Sequence, residues 1–230
     1  MMDANEKPTV ILLGGCNGAG KSTSARAVLS AYPGLRAFVN ADTIARGLSA
    51  FAPETVAVEA GRIMLDWLRK LAHERATFAL ETTLAGKAYV NWLKELKNIG
   101  YQVHVYYFSL HSAETAIGRV RTRVAMGGHD IPETTIRRRH VASDVNYRNL
   151  YQPLADYWWM YDNSAGYGNR LLAASAGPWN PYGERLAEAA TQRAIWEHKQ
   201  LGVPICTVRD GQTVFIQPED IVVEKPTEKV

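Results

Sequence analysis

The stretch Gly15-Cys16-Asn17-Gly18-Ala19-Gly20-Lys21-Ser22 fits the pattern G-x-x-x-x-G-K-[ST] and follows an apolar run, Val10-Ile11-Leu12-Leu13, that reads as a strand. A loop of this kind must aim several backbone N–H groups at one anion. Gly15, Gly18 and Gly20 permit the dihedral angles and the close approach that a Cβ would forbid. Lys21 then sets a cation on the β- and γ-phosphates, Ser22 offers its hydroxyl to Mg²⁺, and residues 23–30 begin a helix whose N-terminus faces the phosphates. The segment predicts a binding site for a nucleoside triphosphate and Mg²⁺ built from Gly15, Asn17, Gly18, Ala19, Gly20, Lys21, Ser22 and Thr23.

Outward from this loop, apolar runs bounded by polar residues or glycine recur at residues 35–40, 77–81, 102–110 and 157–162. Between them, Val56, Ala60, Ile63, Trp67 and Leu71 repeat at helical spacing, as do Tyr89, Trp92, Leu93 and Leu96. Strand, crossover helix and strand in repetition predict an α/β fold: a five-stranded, mostly parallel sheet flanked by helices. Ligands then sit at the C-terminal strand ends. A core over residues 1–164, with a helical lid at about 112–150, precedes an extension over 165–230.

With 230 residues, 47% of them hydrophobic, the chain is long enough to bury one full α/β core. Its net charge of +3 is too mild to argue for nucleic acid. No stretch reads as a membrane span, and the polar start followed by a short apolar run does not resemble a secretory leader, so a cytoplasmic protein is expected. Two cysteines, Cys16 and Cys206, form no metal-spaced cluster and read as buried or incidental.

Two carboxylates arrive at the strand edge that carries the phosphate loop. Asp42 follows the second strand in Asn40-Ala41-Asp42, and Glu81 closes the third before Thr82-Thr83. A carboxylate near a γ-phosphate can accept the proton of a substrate hydroxyl or hold Mg²⁺ through water. The plain alternative for Asp42 is an N-cap of the helix starting near Thr43; for Glu81 it is a buried carboxylate tied to a nearby Arg or N–H group.

Six arginines form the next constellation. Ser112 caps a helix carrying Arg119, Arg121 and Arg123, Gly127-Gly128 breaks it, and a second helix near Pro132 carries Arg137, Arg138 and Arg139. Two such helices joined by a Gly-rich turn read as a lid whose guanidinium groups neutralise phosphoryl charge, with Arg119 on the nucleotide and Arg123 and Arg138 as catalytic candidates. Three consecutive arginines cannot share one helical side, so about half of the six are expected to be a solvated basic face.

In order along the chain, Gly14-Gly15-Cys16-Asn17-Gly18-Ala19-Gly20-Lys21-Ser22-Thr23, Phe38-Val39-Asn40-Ala41-Asp42, Glu81-Thr82-Thr83-Leu84, Gly127-Gly128-His129-Asp130-Ile131-Pro132 and Tyr161-Asp162-Asn163-Ser164 resemble the zeta toxins and zeta toxin-like kinases. The resemblance implies a P-loop NTPase kinase fold and ATP-dependent phosphoryl transfer with ATP and Mg²⁺ bound, in characterised relatives to the 3′-hydroxyl of the sugar in UDP-N-acetylglucosamine. It implies Asp42 as the base, Glu81 and Thr83 against the sugar nucleotide, lid arginines against ATP, and an antitoxin as a possible protein partner. Ala85 departs from the pattern, since some toxins carry Arg two residues after the matching Thr. Beside a small-molecule kinase, two other classes stay open: a nucleotide or polynucleotide kinase, and a P-loop regulatory protein without a metabolite substrate.

In the extension, residues 183–201 read as a helix ended by Gly202, and 205–208 and 213–216 flank Asp210-Gly211 as a small β-hairpin. Trp179, Tyr182 and Trp196 read as packing residues, and the hairpin as structural.

Overall fold

The computed structural model describes residues 7–128, 130–164, 170–175, 195–196, 198–209 and 212–223. Its elements run β1 (Thr9–Gly14), α1 (Lys21–Leu29), β2 (Leu35–Val39), α2 (Ala41–Leu48), α3 (Ala57–His73), β3 (Thr77–Thr82), α4 (Ala88–Asn98) and β4 (Gln102–Ser109). After these come α5 (Ala113–Ala125), α6 (Glu133–Asn146), β5 (Tyr157–Asp162), β6 (Arg170–Ala174), β7 (Ile205–Arg209) and β8 (Gln212–Ile216).

One sheet has the order β2-β3-β1-β4-β5-β6. Strands β1 to β5 pair in parallel, and β6 runs antiparallel to β5. The sheet therefore has six strands where sequence pattern predicts five. The additional strand, Arg170-Leu171-Leu172-Ala173-Ala174, lacks β-branched and aromatic residues and is a largely exposed edge, so neither propensity nor alternation marks it.

Because the sheet is covered on both faces, β1 is apolar throughout and its side chains divide by parity. Val10 and Leu12 join Phe78, Leu80, Val103 and Val105 beneath α3 and α4, whereas Ile11 and Leu13 join Ala79, Tyr106 and Phe108 beneath α1 and α5. Gly14, the last residue of β1, has Leu84 so close that a Cβ would stand 2.4 Å from the Leu84 Cδ1 atom. Leu84 is fully buried with φ 55°, a conformation rare for a branched side chain. Tyr147 and Tyr151, in a π-helical turn (Tyr147–Tyr151) that extends α6, help hold that loop. Tyr147 stacks on Tyr107 with centroids 4.0 Å apart, the Tyr151 hydroxyl donates to the Gly86 carbonyl, and Asn146 Nδ2 donates to the Leu84 carbonyl.

The Ser112 hydroxyl accepts a hydrogen bond from the Thr115 N–H and caps α5. Pro132 stands immediately before α6, one position earlier than sequence pattern suggests. Within the expected helix 183–201, Ile195, Trp196 and residues 198–200 are helical, and Gly202, at φ 66°, ends them with the Val203 N–H donating to the His198 carbonyl. Strands β7 and β8 form the expected hairpin, Arg209 pairing with Gln212. His129, Trp179, Tyr182 and the turn residues Asp210 and Gly211 lie outside the described residues. Among the described residues no helix is long and apolar enough to cross a membrane.

On the α1 side of the sheet, His104 is enclosed by Tyr157 and Trp159 at centroid separations of 5.0 and 5.9 Å, with the Tyr32 hydroxyl 2.7 Å from Nδ1. Burial depresses the imidazole to about 4, and Asp156 opposes the shift only weakly. The unfolded chain thus takes up a proton that the folded one refuses. Stability is full above the ordinary histidine value near 6.5 and falls as pH drops toward 4. Between pH 7 and pH 5 this one group should remove about 2 kcal/mol, and in His104→Phe the loss over that interval should shrink by that amount. Urea unfolding at the two pH values measures it.

Candidate functional site

The phosphate loop connects β1 to α1 at the point where the strand order reverses, with β3 on one side of β1 and β4 on the other. Three of its glycines have positive φ: Gly15 at 146°, Gly18 at 75° and Gly20 at 82°. Each is also pressed against a neighbour. An added Cβ would stand 2.4 Å from the Phe108 carbonyl oxygen at Gly15, 2.8 Å from that of Ala116 at Gly18 and 2.2 Å from Asn163 Nδ2 at Gly20. Gly20 opens α1 with no side-chain cap, which leaves the first N–H groups of the helix for an anion.

Lys21 is buried, its ammonium donating to the Cys16 carbonyl at 2.9 Å and standing 3.8 Å from Glu81 Oε1. The Ser22 hydroxyl donates to Glu81, 2.8 Å from Oε2 and 3.0 Å from Oε1. Asn40 Nδ2 donates to the same carboxylate at 2.8 Å. Glu81 is thus held among Lys21, Ser22 and Asn40 on the phosphate side of the site, and not by an arginine. Asn163 Nδ2 donates to the Ala19 carbonyl at 2.8 Å and anchors the loop from the end of β5. Burial pushes the Cys16 thiol above its ordinary pKa, which suits a packing role.

Asp42 stands in the first turn of α2 and does not cap it. The cap is Asn40, whose Oδ1 accepts from the N–H groups of Asp42 at 2.8 Å and Thr43 at 3.3 Å. The capping alternative for Asp42 is therefore corrected: the helix starts at Ala41, and the Asp42 carboxylate is left to the cavity it lines. Thr83 lies one residue beyond β3, its Oγ1 3.4 Å from the Ala85 N–H, and is not among the residues lining that cavity.

The six arginines of α5 and α6 separate into distinct environments. Arg121 pairs with Glu133, and Arg137 with Glu114, two exposed bridges that brace α5 against α6. Arg138 is exposed and outside the cavity in this conformation. Its neighbour Arg139 reaches the loop, donating to Asn17 Oδ1 at 3.1 Å. Arg123 lines the cavity. Arg119 is half-buried and donates to three carbonyls, those of Cys206 at 3.1 Å, Gly18 at 3.4 Å and Ser164 at 3.3 Å.

These groups surround a cavity of about 300 Å³. Its phosphate end is made by the loop residues Asn17, Gly18, Gly20, Lys21, Ser22 and Thr23 together with Glu81 and Asp42. Serine hydroxyl and carboxylate oxygens suit a hard cation such as Mg²⁺, which takes one or two carboxylates plus substrate phosphates.

A family model for zeta toxin matches residues 2–156. The chain belongs to the zeta toxin family. A Haemophilus influenzae relative, itself of uncharacterised function, is 29% identical over 126 residues, 55% of this chain and 88% of its own length. Among solved structures, the PezAT toxin–antitoxin system of Streptococcus pneumoniae aligns with a TM-score of 0.60 at 18% identity, covering 84% of this chain and 88% of that one. The AvrRxo1-ORF1:-ORF2 complex with ATP aligns with a TM-score of 0.58 at 18% identity, covering 78% of this chain and 60% of that one. The zeta toxin segment holds the loop, both carboxylates and helices α5 and α6; the hairpin, which also touches the cavity, follows it. Two residues to add to the site are Asn40 and Asn163, both members of the family-like stretches at strand ends, where nothing but that membership signals their contacts with Glu81 and the loop.

The cap assignment predicts a separation between neighbours. Asn40→Ala should cost about 1 kcal/mol or more, through the lost cap and the lost donor to Glu81, whereas Asp42→Asn should stay within about 0.5 kcal/mol of wild type. Urea unfolding of both variants measures it, and equal losses would return the cap to Asp42.

Proposed function

We propose that this chain is an ATP-dependent kinase that transfers the γ-phosphoryl group to a hydroxyl of a small molecule. The observation that carries the reading is that one cavity brings the phosphate loop, the Ser22–Glu81 pair, Asp42 and Arg123 together. Phosphoryl transfer calls for little beyond positioned charge and an oriented nucleophile, and those are the elements assembled here. Asp42 accepts the proton of the acceptor hydroxyl, the freed oxygen bonds to the γ-phosphorus, and the bond from that phosphorus to the β–γ bridging oxygen breaks, releasing ADP.

Lys21 leaves the Cys16 carbonyl for the β- and γ-phosphates, and the loop N–H groups hold the same oxygens. Mg²⁺, when bound, neutralises charge on those phosphates, and Ser22 and Glu81 are the residues that would hold it. This reading moves Glu81 from the acceptor to the metal side. Arg123 and Arg139, the lid arginines nearest the loop apart from Arg119, stabilise the migrating phosphoryl group, which replaces Arg138 with its neighbour. Family membership favours a nucleotide sugar such as UDP-N-acetylglucosamine as acceptor, with transfer to the 3′-hydroxyl, and Thr83 on the acceptor side. Ala85 leaves that side without the arginine of some toxins. A likeness to the toxin–antitoxin system PezAT supports an antitoxin as protein partner. The requirement for ATP supports a cytoplasmic setting.

The test is ATP turnover against a panel of nucleotide sugars, nucleotides and oligonucleotides, with products identified by mass spectrometry. A phosphorylated nucleotide sugar is the expected product; a 5′-phosphorylated oligonucleotide would replace this reading with a polynucleotide kinase. Lys21→Ala should abolish turnover without unfolding the chain, and Asp42→Asn should bind ATP normally while losing about 10²- to 10⁴-fold in transfer rate. A wild-type transfer rate in Asp42→Asn would leave Asp42 without a catalytic role.

The arginine placement makes a further prediction. Arg139→Lys and Arg123→Lys should each lower kcat more than they raise KM for ATP, because lysine keeps the charge and loses the planar fork. Arg138→Lys should stay within about twofold of wild type. Steady-state kinetics at saturating acceptor decides between them.

A further inference from the structure

Four of the residues that line the cavity follow the zeta toxin segment: Ile195, His198, Ile205 and Cys206. Strand β7 is built into the site and is not merely laid over it. Its approach depends on Gly118 of α5, where an added Cβ would stand 2.5 Å from Cys206 Sγ. The Arg119 guanidinium fixes it there, joining the Cys206 carbonyl of the hairpin to the Gly18 carbonyl of the phosphate loop. Thr207 Oγ1 donates to the Ser164 carbonyl at 3.2 Å, and Arg119 donates to that same carbonyl. The wall and the loop are thus locked in one frame.

A triphosphate seated on the loop carries its base away from Lys21, toward the rest of the cavity. Besides the polar Arg119, Thr122 and Arg123, the cavity is lined by the apolar Met126, Ile195 and Ile205 with His198 among them, and an aromatic base is the part of a nucleotide that such apolar side chains accommodate. His198 has a definite polarity. Its Nδ1 lies 3.3 Å from the Pro204 carbonyl oxygen, and a carbonyl only accepts, so Nδ1 carries the proton. In the neutral ring Nε2 is then left as an acceptor. An acceptor in a base site welcomes an exocyclic amino group and repels a carbonyl oxygen at the same place.

We propose that the C-terminal hairpin and the helical residues before it form the base-binding wall of the nucleotide site, with Ile205 covering the base and His198 selecting a 6-amino purine over a 6-oxo purine. This rests on the reading of the cavity as a nucleoside triphosphate site and adds the residues that choose the base. It also gives the segment after the family match a direct part in substrate choice.

Binding of ATP, GTP, inosine triphosphate and inorganic tripolyphosphate, each with Mg²⁺, to the full chain tests it by calorimetry. Wild type should bind ATP about tenfold or more tightly than GTP, inosine triphosphate or tripolyphosphate. His198→Phe keeps an apolar ring and removes the acceptor, so the preference for ATP over the two 6-oxo nucleotides should collapse to within about twofold. Ile205→Ala should weaken ATP about five- to tenfold and leave tripolyphosphate unchanged. The proposal is overturned if His198→Phe retains the full preference, if wild type binds ATP no better than tripolyphosphate, or if Ile205→Ala weakens both ligands equally. Failure of wild type to bind either ATP or tripolyphosphate would instead remove the nucleotide reading itself, and the base wall with it.

Discussion

The constraint on which the rest of the structure depends is the burial of one ammonium group inside a turn of glycines. Lys21 is only 7% exposed, its ammonium held by the Cys16 carbonyl and by Glu81 at 3.8 Å. A buried cation is tolerated only where acceptors surround it, and the acceptors here come from the loop's own backbone and from β3. For the loop to curl around the ammonium, Gly15, Gly18 and Gly20 must take positive φ, and the curled loop then touches the β4, α5 and β5 ends closely enough that no side chain fits. The order β3-β1-β4-β5 is therefore part of the phosphate site. Each neighbouring strand delivers one piece: Glu81 from β3, the Phe108 carbonyl from β4, and Asn163 from just past β5.

The central parallel strands were legible in the sequence because burial on two faces leaves little polar alternation to confuse the pattern, most fully in β1, where every residue is buried. β5, Tyr157–Asp162, follows the expected bounds, and β1, β2, β3 and β4 differ from them by a residue or so at an end. β6 was not legible, for a reason that belongs to edges: a strand with one neighbour and an exposed face needs neither β-branched residues nor a continuous apolar run. The π-helical turn at Tyr147–Tyr151 was equally hidden. Its role in holding the Leu84 loop comes from a ring stack and from bonds to two carbonyls, interactions whose partners lie more than 35 residues away in the chain.

At the site, the sequence pointed to the right strand ends and was less able to divide labour among adjacent residues. Asn40 and Asp42 are two positions apart and both are good capping residues, so spacing alone does not say which takes the cap. The backbone decides: Asn40 is extended at φ −136° and ψ 120°, and its side chain both caps α2 and steadies Glu81. That double duty excludes Asp42 from the cap and leaves its carboxylate on the cavity. The same ambiguity governs Arg137-Arg138-Arg139. Successive helical residues point about 100° apart, so only one of three can face the loop, and the packing of α6 against α5 through the Arg121–Glu133 and Arg137–Glu114 bridges turns Arg139 toward Asn17.

The hairpin shows the other limit of reading a chain by its side chains. Nothing in Ile205-Cys206-Thr207 resembles a motif, because the groups that tie β7 to the phosphate loop are a main-chain carbonyl at Cys206 and a missing Cβ at Gly118. Main-chain acceptors are present at every residue and so leave no signature in composition or spacing. Arg119 was visible as a member of a basic helix, yet its three partners are all carbonyls, from the loop, from the segment after β5 and from the hairpin. An arginine that satisfies three separated carbonyls fixes their relative positions, since its donors sit in a rigid planar fork. It thereby ties the position of the hairpin to that of the phosphate loop, and a segment that carries no motif shares in the lining of the cavity.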